Sequence, residues 1–281
     1  LYTYEDRVAP AQDINGLHSL LQEEFQLYTN LVAPNGEYIH LLGQENVSRA
    51  QLIRARSILG FYLQDREGLP YGDKTLLFNE LANTEATLLM FDTESSAELL
   101  ISGSLGELDL WFQDLYATES PVEGSPEWLE NAHRDASFEE IFHLVHGAGI
   151  DVVFPEFSAE IEAAAQQALN AGVWSPEEAD LEDWRDEDSI GKEYIISVID
   201  VYYGLWAHQE SALNGEYQPN TRSALQQIDP DGLSLVEQFL PPTLDYEVRI
   251  DERFTGVFNA STSADWGLKS QYFEHIRLQG T

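Results

Sequence analysis

The sequence predicts an α+β domain that is predominantly helical. Long segments in which apolar residues recur every three or four positions indicate amphipathic helices. Two short apolar runs between turn-forming residues indicate strands. From Tyr246 onwards, YEVRIDERFTGVFNASTS alternates apolar and polar residues and is rich in β-branched and aromatic side chains, which predicts a short β-rich tail.

The first half of the chain mixes helical and strand patterns. Ser48 is a good N-cap for the periodic segment that follows it, and TLLMF at 87–91 is typical of a buried strand. Residues 92–135 read as loop-rich, with PVEGSP at 121–126 as a clear break. The predicted elements are helices over Asp13–Thr29, Ser48–Leu63 and Lys74–Ala82, and strands over Tyr38–Leu42 and Thr87–Phe91.

The second half is predicted to be helical up to the tail. It begins with ASFEEIFHLVHGAGI at 136–150, where Gly147 and Gly149 are expected to end the helix. DLEDWRDEDS at 180–189 reads as a solvated acidic loop; it could bind calcium but lacks EF-hand spacing. The other predicted helices are Phe157–Ala171, Glu193–Trp206 and Asn220–Leu240, the last interrupted at Asp229–Gly232.

The charge of the chain excludes several classes of partner. Its 281 residues carry 14 Lys and Arg against 50 Asp and Glu, a formal net charge of −36. Such a surface repels phosphate backbones and anionic lipids, so we predict no nucleic-acid binding. No run of about eighteen apolar residues is present, which predicts no membrane insertion. Without cysteine, the chain has neither disulfides nor thiolate metal ligands.

The helix at 136–150 carries the first candidate metal ligands. Glu139, His143 and His146 fall at i, i+4 and i+7, on one stripe beside the apolar face. Two ligand types four residues apart on a helix is the spacing with which zinc proteases hold their metal. The same spacing is common on solvated helix faces, so a metal site and an exposed polar stripe both remain open at this point.

A second segment carries buried carboxylates. GKEYIISVIDVYYGLW at 191–206 is apolar almost all round, yet it contains Glu193 and Asp200. A buried carboxylate needs a cation, a metal or several donors. Glu193 could meet His143 and a metal, or pair with Lys192 or Arg185. Asp200 could cap a neighbouring helix or meet Arg222.

Four segments in order resemble a known family. FEEIFHLVHGAGI, FSAEIEAAAQQALNAGVW, EYIISVIDVYYG and NTRSALQQIDP follow the order and spacing of zinc metallopeptidases related to the catalytic domain of anthrax lethal factor, on the gluzincin side of the zincins. The resemblance covers roughly residues 135–240. It implies that Glu140 is the general base acting on water, and that His143 and Glu193 are metal ligands. The chain departs from the family pattern at Glu139, which replaces the first histidine ligand, at Asp186, which replaces a tyrosine, and at Ser197, which replaces a glutamate.

The resemblance implies a domain organisation and a location. It predicts a zincin-like domain over about residues 1–245, with a helix and strand part at 1–120 and the site-bearing part at 121–245. Residues 246–281 would then be a β-rich tail or a linker to a longer chain. KSQYFEHIRLQGT resembles the lead-in to Gly-Asp-rich calcium-binding repeats in bacterial proteins, so we expect a secreted or cell-surface protein.

The resemblance also implies a cofactor and three alternative functions. A site formed by Glu139, His143 and Glu193 would hold one divalent ion, with zinc first and manganese or iron as alternatives. His146, Asp186 and Asp200 are expected around these ligands. One function is a metallopeptidase that takes a peptide or protein substrate. The others are an inactive zincin-fold module that binds or supports other structures, and a calcium-stabilised extracellular module.

Overall fold

The computed structural model describes residues 8–130, 135–205, 215–246, 248–259 and 277–279. The fold is α+β, 54% helical with a five-stranded sheet, which confirms the predicted class. The strands are β1 (Ala9–Pro10), β2 (Leu27–Val32), β3 (Tyr38–Gly43), β4 (Thr87–Phe91), β5 (Phe112–Tyr116), β6 (Val257–Asn259) and β7 (Arg277–Gln279). Among the described residues, no helix has both the length and the apolar character needed to cross a bilayer.

Most of the helices follow the predicted periodic segments. Ser48 caps α2 through a capping box with Gln51. Gly204, with a φ of 65°, ends α10 in the left-handed conformation. The helices are α1 (Ser19–Glu24), α2 (Arg49–Tyr62), α3 (Thr75–Asn83), α4 (Glu94–Leu100), α5 (Pro126–Glu130), α6 (Ser137–Val145), α7 (Asp151–Val153), α8 (Pro155–Ala171), α9 (Glu178–Asp186), α10 (Ile190–Tyr203), α11 (Arg222–Ile228) and α12 (Pro230–Phe239).

The main sheet has the strand order β1-β2-β3-β4-β5. The β1–β2 and β2–β3 pairs are antiparallel, whereas β3–β4 and β4–β5 are parallel. The parallel pairs require crossovers, which α2 and α3 provide between β3 and β4. Within the described residues, β5 therefore forms one edge of this sheet.

The sheet separates two hydrophobic clusters. Successive side chains of β4 point to opposite faces, so Leu88 and Met90 enter the larger cluster, whereas Leu89 and Phe91 enter the smaller one. The larger cluster contains residues of α2, α3, α6, α8, α10 and α12, and the smaller one residues of α1 and α4. Because α6 and α10 share the larger cluster, the candidate ligands on these two helices are brought to the same side of the sheet.

Three predicted elements are wrong. The helix predicted over Asp13–Thr29 is reduced to α1, because the chain from Leu27 pairs along its whole length with β3. The loop-rich region 92–135 contains α4, β5 and α5. The acidic segment 180–189 lies largely in α9, where Leu181 is buried and Trp184 stacks on Trp174 at 5.7 Å.

The predicted tail begins with contacts to the rest of the protein. The Tyr246 hydroxyl donates to Glu123 Oε1 at 2.7 Å, and the Asp251 amide donates to the Glu123 carbonyl at 2.9 Å. Further on, β6 and β7 pair antiparallel. Residues 260–276 of the predicted tail and the predicted helix end at Trp206 lie outside the described residues.

Candidate metal centre

A buried arginine fixes the N-terminus of α6, the helix that carries the candidate site. Arg54 on α2 donates to Glu123 Oε1 at 2.7 Å, to both carboxylate oxygens of Asp135 at 2.8 and 3.1 Å, and to Ser137 Oγ at 2.7 Å. Burial would lower the pKa of Arg54, but the charges of Asp135 and Glu123 outweigh it and raise the pKa well above its ordinary value. The network therefore stays charged and ties α6 to α2.

Aromatic and apolar packing fixes the rotation of α6 about its axis. The Tyr62 hydroxyl donates to the Phe138 carbonyl at 3.0 Å, and its ring meets Phe142 edge-on at 5.1 Å. Phe138, Ile141, Phe142 and Val145 are all at most 2% exposed. With this face held in the core, Glu139 and His143 project sideways towards α10.

Three side chains from α6 and α10 converge. One ligand atom from each of Glu139, His143 and Glu193 lies within 4.8 Å of the other two. Glu193 Oε1 is 3.6 Å from His143 Nε2, which is too long for a hydrogen bond. His143 Nε2 is buried and has no hydrogen-bond partner among the described residues. Two ligands each about 2.1 Å from one ion lie about 3–4 Å apart, and the 3.6 Å between His143 Nε2 and Glu193 Oε1 falls in this range. The three side chains are therefore a candidate site for a metal ion.

The other nitrogen of His143 faces Glu140. His143 Nδ1 is 3.4 Å from Glu140 Oε2, and the same oxygen accepts a hydrogen bond of 2.8 Å from Gln113 Nε2 on β5. Histidines that bind metals commonly donate their second nitrogen to a carboxylate, which fixes the orientation of the ring. Glu140 therefore orients the His143 ring and lies next to the group formed by Glu139, His143 and Glu193.

The charge on His143 is set by the neighbouring carboxylates. Burial lowers its pKa, but the hydrogen bond with Glu140 and the negative charges of Glu193 and Glu140 outweigh burial, so the pKa is raised. In the ion-free protein the imidazole thus holds a proton more readily than an ordinary histidine. A metal ion bound at Nε2 has to displace that proton.

The C-terminal end of the site helix differs from the prediction. Instead of ending at the glycines, α6 runs into a π-helical turn at His146–Ile150 and then into α7. A Cβ on Gly147 would stand 2.7 Å from the Trp111 ring, and one on Gly149 would overlap Leu77 and Leu81. These glycines therefore permit close packing of the π turn rather than termination of the helix.

The π turn directs His146 away from the cluster. His146 is 2% exposed, and its Nε2 is 3.3 Å from both Ser158 Oγ and Asp151 Oδ1. Asp151 also accepts from Ser158 at 2.5 Å and is 3.5 Å from Lys192 Nζ. His146 is thus part of a polar group with Ser158 and Asp151, and it is not one of the three converging side chains.

The two remaining predicted neighbours have different surroundings. Asp186 is exposed at the end of α9 and is not part of the converging group. Asp200 is 3% exposed on α10, and its negative charge contributes to raising the pKa of the buried Tyr62 hydroxyl, for which burial is the main cause. Of the alternative partners considered above, Lys192 contacts Asp151, and Arg185 bonds to Glu178 at 2.9 Å.

Four residues outside the predicted site are important for it. Arg54 holds the start of α6, Gln113 bonds to Glu140, and Trp111 and Lys192 border the π turn. Of these four, Lys192 is predicted from the sequence as an alternative ion-pair partner of the adjacent Glu193. The other three lie 24 or more positions from the residues they contact, so their roles depend on the fold.

Comparisons with protein-family models, with curated proteins and with solved structures find no significant match, so the case for a metal centre rests on the geometry of Glu139, His143 and Glu193.

Proposed function

We propose that this chain is a zincin-like domain of an exported protein, and that the domain binds a metal ion and hydrolyses peptide bonds. The observation that carries the proposal is the buried Nε2 of His143, which has no hydrogen-bond partner among the described residues and lies 3.6 Å from Glu193 Oε1. A protonated His143 bonded to Glu193 would shorten this distance to about 3 Å. Two ligands of one ion account for the spacing without leaving a buried nitrogen unpaired.

The donor set indicates the kind of ion. Two carboxylates and one imidazole carry a charge of −2 that a divalent cation neutralises. Zinc accepts such oxygen and nitrogen donors, and manganese and ferrous iron suit the high share of oxygen. When bound, the ion would polarise the peptide carbonyl and make water more acidic.

Glu140 is the proposed general base. One of its oxygens accepts from Gln113 and faces His143 Nδ1. A carboxylate has two oxygens, so the second can accept the proton of the attacking water while the first holds its orientation. Because Gln113 and His143 both fix Glu140, the base is positioned before substrate arrives, which reduces the cost of reorganisation.

The sheet edge favours a peptide as substrate. Within the described residues β5 pairs only with β4, and Gln113 on β5 reaches Glu140. An extended peptide can add to such an edge through main-chain hydrogen bonds. A peptide bound there would run past the residues at which cleavage is proposed.

A second candidate function is an inactive zincin-fold module that binds a metal or a partner. The observation that favours it is the exposed position of Asp186, where the resemblance expects a tyrosine that stabilises the oxyanion. A site without this group would retain metal binding and lose most of its rate. Calcium on the acidic surface is compatible with this alternative.

Metal content tests the proposal. The protein is purified without chelator, dialysed and analysed for zinc, manganese and iron, together with Glu139→Gln, His143→Ala and Glu193→Gln. His40→Gln, on the opposite face of the sheet, is the matched control. We expect about one ion per chain in the wild type and control, and a loss of at least tenfold in affinity in each ligand variant. Wild type without a transition metal, or metal that survives all three changes, would overturn the metal centre.

Cleavage of a peptide library by the metal-loaded protein then separates the two candidates. Activity that Glu140→Gln abolishes while metal content stays unchanged supports the peptidase. Full metal occupancy with no cleavage supports the inactive module.

A further inference from the structure

A partly exposed lysine lies next to the candidate metal centre. Lys192 immediately precedes Glu193 on α10, and its side chain is 25% exposed. Its Nζ is 3.5 Å from Oδ2 of Asp151, whose other oxygen is 3.3 Å from His146 Nε2. The positive charge opposes protonation of both His143 and His146. Its ion pair with Asp151 has a length of 3.5 Å, so the contact is loose.

An exposed indole lies next to this lysine. The position that a Cβ would occupy on Gly147 is 2.7 Å from the Trp111 ring and 3.8 Å from Lys192 Nζ. The ring and the ammonium group therefore lie within about 6.5 Å of each other, beside the bare backbone of the π turn. Trp111 is 38% exposed, which leaves an apolar surface open beside the charge.

Lys192 is a positive charge in strongly acidic surroundings. The chain carries 50 acidic and only 14 basic residues, and the candidate centre itself contains Glu139, Glu140 and Glu193. An anionic group approaching the centre is repelled by these carboxylates unless a cation receives it. Lys192 is a cation of the described residues whose charge acts on His143.

We propose that Lys192 binds a carboxylate of the substrate while Trp111 packs against a neighbouring apolar group. This inference rests on the proposed function and names its substrate class, peptides that carry a carboxylate close to the bond to be cleaved. The carboxylate displaces Asp151 from a loose ion pair that is already partly solvated. A C-terminal carboxylate and an acidic side chain share this chemistry.

The test uses a matched pair of small probes. Benzoylglycine has an aromatic ring and a carboxylate, and benzoylglycinamide replaces the carboxylate by a neutral amide. Both are titrated calorimetrically into metal-loaded and metal-free protein. Lys192→Gln removes the charge and Lys192→Arg retains it, whereas Arg185→Gln removes a positive charge from an exposed ion pair on α9.

The expected result is selective for the carboxylate. A charged hydrogen bond supports a difference of about tenfold in affinity, so benzoylglycine should bind about tenfold more weakly to Lys192→Gln. The amide should bind equally to all variants, and Lys192→Arg should recover most of the loss. Equal affinity of benzoylglycine for wild type and Lys192→Gln, or an equal loss in Arg185→Gln, would overturn the proposal.

Metal analysis of the same samples keeps the two proposals apart. A wild type that contains no metal contradicts the proposed function, whereas full metal content with no effect of Lys192 contradicts only this inference. Peptides with free or amidated C-termini, and with Glu or Gln at each position, then identify which carboxylate is bound.

Discussion

Replacing Arg54 with methionine should strongly destabilise the protein. The change removes the cation from between Glu123 and Asp135, whose side chains are only 5% and 9% exposed, while methionine roughly retains the volume. Removing one partner of a buried ion pair costs about 3–5 kcal/mol, because the remaining charges are left uncompensated. Since a folded domain has about 5–15 kcal/mol of stability, the variant should stay folded at a reduced margin.

Urea denaturation followed by tryptophan fluorescence measures this loss. Adding Glu123→Gln to Arg54→Met should recover part of it, because one buried charge is removed as well. Arg185→Gln, which breaks an exposed ion pair, should cost less than about 1 kcal/mol. If Arg54→Met costs no more than this control, the network does not hold α6 and the reasoning is refuted.

Three further predictions concern packing and titration. Gly149→Ala should lower the free energy of unfolding in urea by about 1–3 kcal/mol, because the added methyl group would overlap Leu77 and Leu81. The control is Gly60→Ala, in open space on α2, which should stabilise the protein by up to about 1 kcal/mol. Equal effects of the two changes would contradict the packing argument. Burial lowers the pKa of Lys74 to about 6. Between about pH 6 and 10 the unfolded chain therefore binds one more proton than the folded protein at this side chain. The free energy of unfolding should rise over this range by about 1.4 kcal/mol per pH unit because of Lys74. Lys74→Met should remove that slope, and parallel pH profiles in the two proteins would show the prediction to be wrong. Because the pKa of His143 is raised, metal affinity should fall about tenfold per pH unit on acidification below that pKa, and calorimetry that finds a flat pH profile would argue against His143 as a ligand.

Local sequence signals predict the helices and strands that have a regular apolar pattern or a recognisable capping residue. The periodic apolar residues and Ser48 identify α2, and the continuous run TLLMF identifies β4. The sequence predicts a helix up to Thr29 because the apolar residues there fit a helix as well as a strand, and the pairing with β3 makes the chain from Leu27 a strand. In α9, Leu181 and Trp184 are separated by charged residues, so the sequence shows no clear helical pattern of apolar residues.

Some residues of the candidate site can likewise be predicted from local sequence, and others cannot. Glu139 and His143 lie one turn apart on one helix, so their proximity follows from local spacing. Glu193 lies close to both. Its place in an apolar helix predicts a partner without deciding between a metal and an ion pair, and the family resemblance implies a metal ligand. Gln113 and Trp111 come from a strand and its lead-in that have no strong pattern, and their positions depend on the parallel pairing of β5 with β4. Such contacts are set by tertiary structure and leave no periodic signal in the sequence.

The Arg54 network also has a consequence for the order of events during synthesis. Its members come from positions 54, 123, 135 and 137, and Tyr246 completes it by bonding to Glu123. Glu139 and His143 therefore leave the ribosome about a hundred residues before the last support of their helix exists. A nascent chain stalled before Tyr246 should hold these side chains less firmly than the finished protein, so metal capture is expected late in synthesis or after release.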